Sequence, residues 1–486
     1  MDISKDLFQP AQIQSTSPEL PEQRLRSSSS DAFGRFIKNK ASFVAAIIIG
    51  LLLLFSLIAP LFSHYTVGFR DGYYRRMPPI FARNVRLSGG QATRDYYSSM
   101  DAVRSIENQA ENQENGSYYY DLSVDSYKKV GYVYVDLSPG EFQALQNYQN
   151  STQLQVCYPI PKNHANFYLA VKSSANLWYQ LEDSSPYSTG KSAHHAENGD
   201  PIFVPNYLTA QPDSSYQSLR LPDDPGDWVY GVKNQTGYRC RVLYSAYYRY
   251  QNGFSPLHPF GTNQHGQDIF ICLAAGARLS FLLAICVSLI NLLIGLCYGA
   301  IEGYYGGKLD LAMERLADIL AAIPFIVVAT LFQLHLANRV GAIPSLLFSF
   351  VLTGWIGIAS RVRTQFYRYK GAEYVLCART LGAKDGRIIF RHILPNALGT
   401  IITTSVLLIP GVIFSESMLS YLGIVNLEAA NLTSIGTMLA NGRAYLGTDP
   451  YILAFPAIFI ALLEISFNLL GNGLRDAFNP LLRGTE

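Results

Sequence analysis

The chain has 486 residues, of which 15% are charged and 49% are hydrophobic. An average soluble domain has about 25% charged residues, so this composition disfavours a single soluble domain and predicts segregated membrane and aqueous blocks. The net charge of +2 gives no basic domain of the kind that binds nucleic acid, and no nucleic-acid partner is expected. The six cysteines include no C-x-x-C pair, which disfavours zinc and thioredoxin-type sites.

The N-terminal part of the chain is predicted to be a polar tail followed by a membrane anchor. Residues 1–30 end in four serines and are expected to form a disordered cytoplasmic tail. Residues 31–63 are expected to hold a short interfacial helix and the first transmembrane helix, because 29 uncharged positions separate Lys40 from Arg70 and about 20 residues span a bilayer. The polar stretch before this run disfavours a cleaved signal peptide.

Residues 64–260 form a block of 197 residues with 17 basic and 18 acidic side chains. We predict a separate α+β domain for this block. The alternation in 132–135 predicts a strand, and Ser138 with Glu141 forms a capping box that predicts a following helix. Residues 64–115 are rich in Asn, Gln, Ser and Gly and are expected to be mostly loop.

Two features of this block leave alternatives open. It holds 24 of the 33 tyrosines, which are expected either to contact a ligand or to belong to amphipathic strands. Cys157 and Cys240 are expected either to form a disulfide on an oxidising side of the membrane or to remain a buried pair of thiols.

No nucleotide or metal site is expected in the block. The triplet 190–192 (Gly-Lys-Ser) is similar to the end of a phosphate-binding loop, but Ser185 stands where that loop requires its first glycine. Four histidines lack the spacing of a metal-ligand set and are therefore expected at the surface: His194, His195, His258 and His265.

Residues 261–486 are predicted to carry five further transmembrane helices, which makes six in total. Uncharged runs of 23, 20 and 21 residues come first, and two more follow Arg391 and Asp449, interrupted only by Glu416 and Glu464. A carboxylate at membrane depth is costly, so each glutamate is expected either to line the substrate path or to fix packing through an interhelical hydrogen bond. Both interpretations stay open.

The orientation follows from lysine and arginine, which are enriched in cytoplasmic loops. Residues 361–396 hold eight basic and two acidic residues and are predicted to be cytoplasmic. With six spans, both termini are then expected in the cytoplasm, and residues 64–260 on the outer side.

The cytoplasmic stretch EYVLCARTLGAKDGRIIFRHILPN, residues 373–396, is predicted to form two short helices with a turn near Gly382, Ala383 and Gly386. Its small residues permit close approach and its basic residues can face a polar partner, which is typical of a docking element. The stretch resembles the EAA loop of ABC-importer permeases, whose coupling helix seats in a cleft of the ATPase subunit. It is most similar to the C-type permeases of bacterial oligopeptide and dipeptide importers.

Other segments share this resemblance, which covers about 31–62 and nearly all of 260–483. The matching segments are FGTNQHGQDIF (260–270), GYYGGKLDLAMERLADIL (303–320), SESMLSYLGI (415–424) and FNLLGNGLRDAFNPLLR (467–483). The resemblance implies an all-α polytopic membrane protein with six transmembrane helices in the type I ABC importer permease fold. The block 64–260 is then an α+β extracytoplasmic insert between helices 1 and 2.

The resemblance also implies which residues couple to the ATPase. Leu376 stands where the loop's glutamate is expected, and Cys377 stands where its first alanine is expected. Glu373, one helical turn earlier, is therefore expected to make the contact of that glutamate. The expected coupling residues are Glu373, Cys377, Ala378, Gly382, Ala383, Arg387, Leu394 and Pro395, and Glu416 and Glu464 are the candidates for the translocation path.

The same resemblance implies the partners. They are a second, non-identical permease subunit, two cytoplasmic ATPase subunits that bind ATP and magnesium, and an extracytoplasmic peptide-binding protein. No catalytic residue and no cofactor are expected in this chain, which is expected in the bacterial plasma (inner) membrane as a multi-pass protein. The block 64–260 is expected to dock the binding protein, with a purely stabilising role as the alternative.

Two other classes of function are weighed against the permease. A membrane-anchored extracellular receptor or sensor acting through the block 64–260 would explain the tyrosines but not the docking element. An integral membrane enzyme would need clustered carboxylates or histidines at one membrane depth, and the sequence contains none. Cargo identity, including peptide length and the choice between peptides and a small solute such as nickel, does not follow from the sequence.

Overall fold

The computed structural model of the protein describes residues 34–88, 112–114, 117–119, 121–129, 132–152, 156–158, 160–161, 228–229, 231–233, 235–425, 427 and 432–478. The predicted tail 1–30 and the triplet 190–192 lie outside these residues, as do His194 and His195. Residues 34–38 are helical and are separated from the first long helix by Asn39.

The helices are α1 (Lys40–Phe62), α2 (Ser126–Lys129), α3 (Pro139–Thr152), α4 (Tyr244–Asn252), α5 (Ile269–Tyr305), α6 (Gly307–Ala321), α7 (Phe325–His335), α8 (Ala337–Val340), α9 (Ala342–Gly354), α10 (Ile356–Tyr369), α11 (Glu373–Thr380), α12 (Asp385–Arg387), α13 (Leu394–Val406), α14 (Leu408–Tyr421), α15 (Ile435–Gly442) and α16 (Tyr451–Phe478). A π-helical segment (Ile388–Ile393) joins α12 to α13, and 3₁₀ turns cover Ile80–Ala82 and Arg443–Tyr445.

The strands are β1 (Asn84–Ser88), β2 (Asn112–Glu114), β3 (Ser117–Tyr119), β4 (Asp121–Asp125), β5 (Tyr132–Leu137), β6 (Cys157–Tyr158), β7 (Ile160–Pro161), β8 (Trp228–Val229), β9 (Gly231–Lys233) and β10 (Tyr238–Leu243). The longest pairing is antiparallel between β5 and β10, and β6 and β9 also pair with β10. These short strands and the helices α2 to α4 all lie between the first two long helices of the chain.

Within the described residues, five helical stretches are long and apolar enough to cross a bilayer: Lys40–Phe62, Ile269–Tyr305, Ala342–Tyr369, Asp385–Tyr421 and Tyr451–Phe478. A sixth crossing arises if α6 and α7 together count as one broken span. The chain is therefore a helical membrane protein with five or six candidate spans.

The third predicted span is not the straight helix that its uncharged run suggests. Helices α6 and α7 meet at an angle of 70°. Pro324 precedes α7 with an extended ψ of 128°, and a proline also disfavours helical geometry in the residue before it. The uncharged run correctly indicates an apolar segment, but hydropathy along the sequence carries no information about this bend.

Helix α5 approaches α10 closely along a row of glycines. Gly295, Gly299 and Gly303 recur every four residues and so share one face of α5. A Cβ added to Gly299 would lie 2.2 Å from the carbonyl oxygen of Ala359, and one added to Gly295 would lie 2.7 Å from Ile358 Cβ. The two backbones can reach this distance only because the row has no side chains, which is the small-residue packing common in membrane helices.

The first and last long helices are also in tight contact. The Ser42 hydroxyl of α1 donates to the Leu469 carbonyl of α16 over 2.9 Å. A Cβ at Gly473 would lie 2.1 Å from Ser42 Oγ. The anchor helix α1 therefore packs on the rest of the membrane bundle.

The predicted start of α3 is confirmed. The Ser138 backbone N–H donates to Glu141 Oε2 over 2.8 Å, and the Glu141 N–H donates back to Ser138 Oγ over 3.3 Å. The Ser138 hydroxyl also donates to Glu141 Oε2 over 2.8 Å, and the two bonds that Ser138 donates to this carboxylate lower the pKa of Glu141. The predicted strand at 132–135 is likewise present within β5.

The expectation that 64–115 is loop is wrong for part of this range. It contains β1 and β2, and Tyr74 within it is fully buried. The Asp71 carboxylate organises the segment by accepting from the Tyr73 and Tyr74 N–H groups and from the Tyr244 hydroxyl at 2.7 Å. The composition of 64–115 indicates loop because an average over many residues is insensitive to single buried side chains such as Tyr74 and Asp71.

The tyrosines have a role that neither sequence alternative named. Several of them form the hydrophobic core of the 64–260 block: Tyr65, Tyr74, Tyr127, Tyr244, Tyr247 and Tyr248. Burial raises the pKa of Tyr247 to about 12. Cys157 and Cys240 lie buried in the same core as thiols.

The expectation of a surface position is also wrong for His258. Its Nδ1 lies 2.7 Å from Asp268 Oδ2, and both side chains are buried. Asp268 in turn caps α5 by accepting from the Ile271 N–H at 2.9 Å. His265 is exposed, and the described residues contain no group of three or more potential metal ligands.

Candidate coupling element and membrane carboxylates

The first half of the predicted coupling loop is a helix closed by a glycine. Helix α11 ends where the Gly382 N–H donates to the Arg379 carbonyl at 3.0 Å and the Ala383 N–H donates to the Ala378 carbonyl at 3.0 Å. This is the Schellman pattern, which requires a left-handed residue after the helix. Gly382 has that conformation, with φ +78°. The glycine of the motif is therefore the residue that stops the coupling helix.

The second half differs from the predicted short helix. Residues Asp385 to Ile393 pass through the π-helical segment directly into α13, so the element is continuous with the next membrane span. Pro395 has no N–H to bond to the Arg391 carbonyl, and its ring crowds that oxygen. A local π register relieves this conflict, and Asn396 Nδ2 bonds the nearby His392 carbonyl at 2.9 Å.

One face of the element is anchored to the membrane helices. Val375, Ile388 and Ile393 are fully buried, and Ala378 is nearly so. Val375, Ile388 and Ile393 pack in one cluster with Tyr304 at the end of α5 and with the adjoining face of α10. This stretch, residues 373–396, is called the coupling element below, and it is held firmly against two membrane spans.

Polar contacts reinforce this anchoring. The Tyr304 hydroxyl donates to Asp385 Oδ1 over 2.6 Å, and Arg379 Nη2 donates to the same hydroxyl over 3.4 Å. Lys370 Nζ donates to the Gly303 carbonyl over 3.0 Å. The contacts of Asp385 and Arg379 therefore tie the element to the end of α5, and the Lys370 contact ties α10 to α5 beside it.

The opposite face leaves apolar side chains exposed. Leu381, next to the turn, is 87% exposed, and Leu376 is 46% exposed. Glu373 and Cys377 are exposed on the same helix, and Arg387 is exposed beyond the turn. A cluster of exposed leucines rimmed by polar residues is typical of a protein interaction site.

The structure distributes the eight predicted coupling residues over both faces. Four are exposed, namely Glu373, Cys377, Arg387 and Pro395, and the turn residue Gly382 is exposed with them. Ala378 is buried, and Ala383 and Leu394 are half-buried. The loop motif therefore combines residues that shape the element with residues that are free to meet a partner.

A charge cluster behind the element was missed by the sequence reasoning. Arg363 on α10 donates to both carboxylate oxygens of Asp310, at 2.6 and 2.9 Å, and to both oxygens of Glu314, at 3.0 and 3.1 Å. Glu302 lies 3.5 Å away, and the Tyr367 hydroxyl donates to Asp310 at 2.6 Å. The available signal was the concentration of three acidic residues just beyond the second span.

The two membrane glutamates have different surroundings. Glu416 is 1% exposed and accepts from Ser280 at 3.0 Å and from Ser420 at 3.1 Å. Ser280 belongs to α5, so this contact is an interhelical hydrogen bond, as the packing alternative requires. Glu464 is half-buried, and its Oε1 atom is buried without a hydrogen-bond partner among the described residues.

The fold and the docking element define a polytopic helical permease. The family described as binding-protein-dependent transport system inner membrane component matches residues 291–484, and the N-terminal transmembrane domain of oligopeptide transport permease C matches residues 27–79.

Relatives agree with these matches. The oligopeptide transport system permease protein OppC of Bacillus subtilis (strain 168) is 43% identical over 46% of this chain and 72% of its own length. The dipeptide transport system permease protein DppC of the same organism is 40% identical over 46% of this chain and 69% of its own length. OppC of Escherichia coli (strain K12) is 36% identical over 46% of this chain and 72% of its own length.

This chain belongs to the family of binding-protein-dependent transport system inner membrane components. The prediction of a membrane permease subunit, and not an enzyme, is confirmed by these relatives, and the receptor alternative finds no support among them. A solved inward-facing MetNI methionine ABC transporter matches 43% of this chain and 96% of its own, with 17% identity and a TM-score of 0.35.

Proposed function

We propose that this chain forms half of the translocation pathway of an ATP-driven importer of oligopeptides or dipeptides. The names of its relatives support the cargo class. The observation that carries the proposal is the coupling element, in which α11 is anchored on one face and exposes Leu376 and Leu381 on the other. Such a surface on a cytoplasmic loop needs a protein partner.

The proposed complex has further subunits. A second, non-identical permease completes the pathway, and two cytoplasmic ATPases bind ATP and magnesium and carry out hydrolysis. An extracytoplasmic binding protein delivers the peptide. The block 64–260 lies on the outer side, between the first two spans, and docks that binding protein. Both termini are cytoplasmic.

The coupling mechanism follows from the two faces of the element. ATPase closure pushes on the exposed face, where Leu381, Leu376 and Glu373 make the contact. The buried face passes this displacement to α5 through the Tyr304–Asp385 hydrogen bond and to α13 through the continuous backbone beyond Asp385. In this scheme Glu416 holds α14 to α5 as the helices move, and Glu464 faces the pathway.

The docking surface is tested by charging it. Leu381→Asp removes an apolar contact without disturbing the fold, because the side chain is 87% exposed. We expect the ATPases to be lost from the purified complex and peptide uptake to fall at least tenfold. Leu446→Asp is the matched control, since Leu446 is 56% exposed in the segment that follows α15, on the opposite side of the membrane in the proposed topology. Equal ATPase recovery and uptake for both variants would refute the coupling assignment.

The turn supplies a second variant at the same site. Gly382 is exposed and a Cβ there meets no atom within 4 Å, so the side chain of Gly382→Trp starts from open space. The left-handed φ costs roughly 1–2 kcal/mol for a residue with a side chain. We expect an intact membrane bundle with impaired ATPase seating. Normal uptake by this variant would argue against close approach at the turn.

The proposed topology has its own test. Ser255 and Cys377 are both exposed, and they lie on opposite membrane sides in the proposal. A membrane-impermeant maleimide should label Ser255→Cys in intact cells. It should label the native Cys377 only after permeabilisation of cells that lack the ATPase subunits, which would otherwise cover this residue. The reverse pattern would overturn the orientation.

A further inference from the structure

A cavity of about 540 Å³ opens between three membrane helices at the end of the bundle that carries the coupling element. Its walls are α10, α13 and α16. Three arginines line it: Arg361 near the middle of α10, Arg368 in the last turn of α10, and Arg475 in the last turn of α16. No acidic residue is among the lining side chains. The cavity is therefore strongly cationic at the membrane boundary.

Within the described residues, no acidic side chain pairs with the arginines of this cavity. In the ranges that the structure describes, Arg361, Arg368 and Arg475 make no ion pair, whereas Arg363 on the same α10 helix is surrounded by Asp310, Glu314 and Glu302. The arginines on the cavity face of α10 thus lack the acidic partners that its α6 face provides. Three arginine side chains around one cavity favour the binding of an anionic ligand.

The polarity of the walls changes with depth. Along α10 the cavity residues run from Gly357 to Arg368, and along the antiparallel stretch formed by α13 and the start of α14 they run from Leu408 back to Thr400. On both helices the apolar residues lie deep in the bundle and the polar ones lie at the cytoplasmic end of the proposed topology. The two stripes span roughly 12–16 Å at 1.5 Å per residue, which is about the thickness of one leaflet of the hydrocarbon core.

The polar end also contains acceptors. The Thr404 hydroxyl already donates to the Thr400 carbonyl at 3.0 Å, so its oxygen remains as an acceptor for a ligand. Thr403 is bonded in the same way to the Gly399 carbonyl at 2.8 Å. Gln365 Oε1 is buried and accepts no hydrogen bond from the described part of the chain. A ligand that fits must offer donors beside its negative charge.

We propose that this cavity binds an anionic phospholipid of the cytoplasmic leaflet whose headgroup carries hydroxyl donors, namely phosphatidylglycerol. The arginines hold the phosphate, Gln365 and the threonines accept from the glycerol hydroxyls, and Leu407 and Leu408 face the first part of an acyl chain. Basic cavities between spans on the cytoplasmic side have the chemistry for anionic headgroups. A free phosphate would occupy the arginine end and leave the apolar stripe empty.

The site is tested on the intact transporter complex in phosphatidylcholine nanodiscs with a graded fraction of phosphatidylglycerol, and retained lipid is counted by native mass spectrometry. The chemistry predicts preferential retention of phosphatidylglycerol. Each arginine changed to glutamine should weaken retention about fivefold, and all three together on the order of 100-fold, from about 1 kcal/mol per basic residue near an anionic surface. Arg315→Gln, an exposed arginine of α6 outside the cavity, should change nothing.

Two further variants keep the test informative if the triple variant fails to assemble. Arg361→Lys keeps the charge and should retain lipid within a few-fold, whereas Leu407→Trp fills the apolar floor and should expel the lipid although all three arginines remain. Retention of phosphatidylglycerol by the Arg361/Arg368/Arg475 variant at the wild-type level would overturn the proposal.

Two other outcomes also overturn it. Glycerol phosphate competing at concentrations equal to those of the lipid would identify a free-phosphate site. Loss of the second permease from the triple variant, with lipid retention unchanged, would identify the cavity as a protein interface. The lipid assay does not depend on peptide uptake, so its failure is distinguishable from failure of the proposed import function, although the leaflet assignment rests on the proposed topology.

Discussion

The Arg363 cluster offers the sharpest test of how the coupling side of the bundle is held together. Arg363 makes four hydrogen bonds of 2.6–3.1 Å to Asp310 and Glu314, and Glu302 lies 3.5 Å away. The Arg363 guanidinium therefore balances the charge of three carboxylates, and removing it leaves these three negative charges close together. We expect Arg363→Gln to destabilise the assembled complex markedly.

The size of the destabilisation by Arg363→Gln follows from how exposed the side chains of the cluster are. Breaking a buried ion pair by removing one partner costs about 3–5 kcal/mol, but the Arg363 side chain is 24% exposed and Glu314 is 43% exposed. Water then screens part of the repulsion, so we expect about 2–3 kcal/mol. Arg363→Lys keeps the charge but loses the planar fork that reaches two carboxylates at once, and we expect it to recover less than half of the loss.

The assay is thermal unfolding of the purified complex. The exposed thiols, Cys297 and Cys377, are blocked in the folded state, so that a thiol-reactive dye then reports exposure of the buried thiols, Cys272 among them. The control is Arg315→Gln, which removes the exposed pair of Arg315 with Asp318 and should cost about 0–1 kcal/mol. If the Arg363→Gln and Arg315→Gln complexes unfold at the same temperature, the cluster contributes no more than a surface pair and this reasoning is wrong.

Three further predictions concern packing, a buried carboxylate and pH. Gly299→Val should block the packing of α5 on α10 and abolish recovery of the folded complex. Gly357→Val is the control and should leave recovery unchanged, because no atom lies within 4 Å of a Cβ at that position. Equal recovery of the two variants would contradict the close approach of α5 and α10. Asp71→Ala should cost about 2–4 kcal/mol by leaving two N–H groups and the Tyr244 hydroxyl without their acceptor, and proteolysis of the 64–260 block should accelerate. Glu141 has a lowered folded-state pKa, so its stabilising effect is present above the ordinary value of about 4.3 and is lost as pH falls through the folded value. The hydrogen-exchange protection factors of α3, which are corrected for the intrinsic pH dependence of exchange, should therefore fall at low pH in the wild type and should not show this fall in Glu141→Gln.

Local patterns in the sequence were sufficient for several elements. The uncharged runs located the membrane helices, because hydropathy over 20 residues depends only on neighbouring side chains. The capping box at Ser138 located the start of α3 for the same reason, since both partners lie three residues apart. The stretch 373–396 indicated a docking element with a turn at Gly382, and the structure has the glycine at that turn.

Contacts between distant residues needed the tertiary structure. Asp310 and Arg363 are separated by 53 positions and His258 is buried against Asp268, and neither pairing has a periodic signature. The 70° bend between α6 and α7 depends on how the proline-flanked break packs, which a hydropathy count does not register.

The cationic cavity shows most clearly which features the sequence determines by itself and which depend on the tertiary structure. The sequence contains Arg361, Arg368 and Arg475 as ordinary members of a positive flank, and the positive-inside rule uses them only to orient the chain. Whether they spread over a membrane surface or converge on one cavity depends on the packing of α10 and α16 around α13. That packing brings residues more than 100 positions apart to one site, because side-chain complementarity between helices, and not the order of residues along the chain, selects which faces meet.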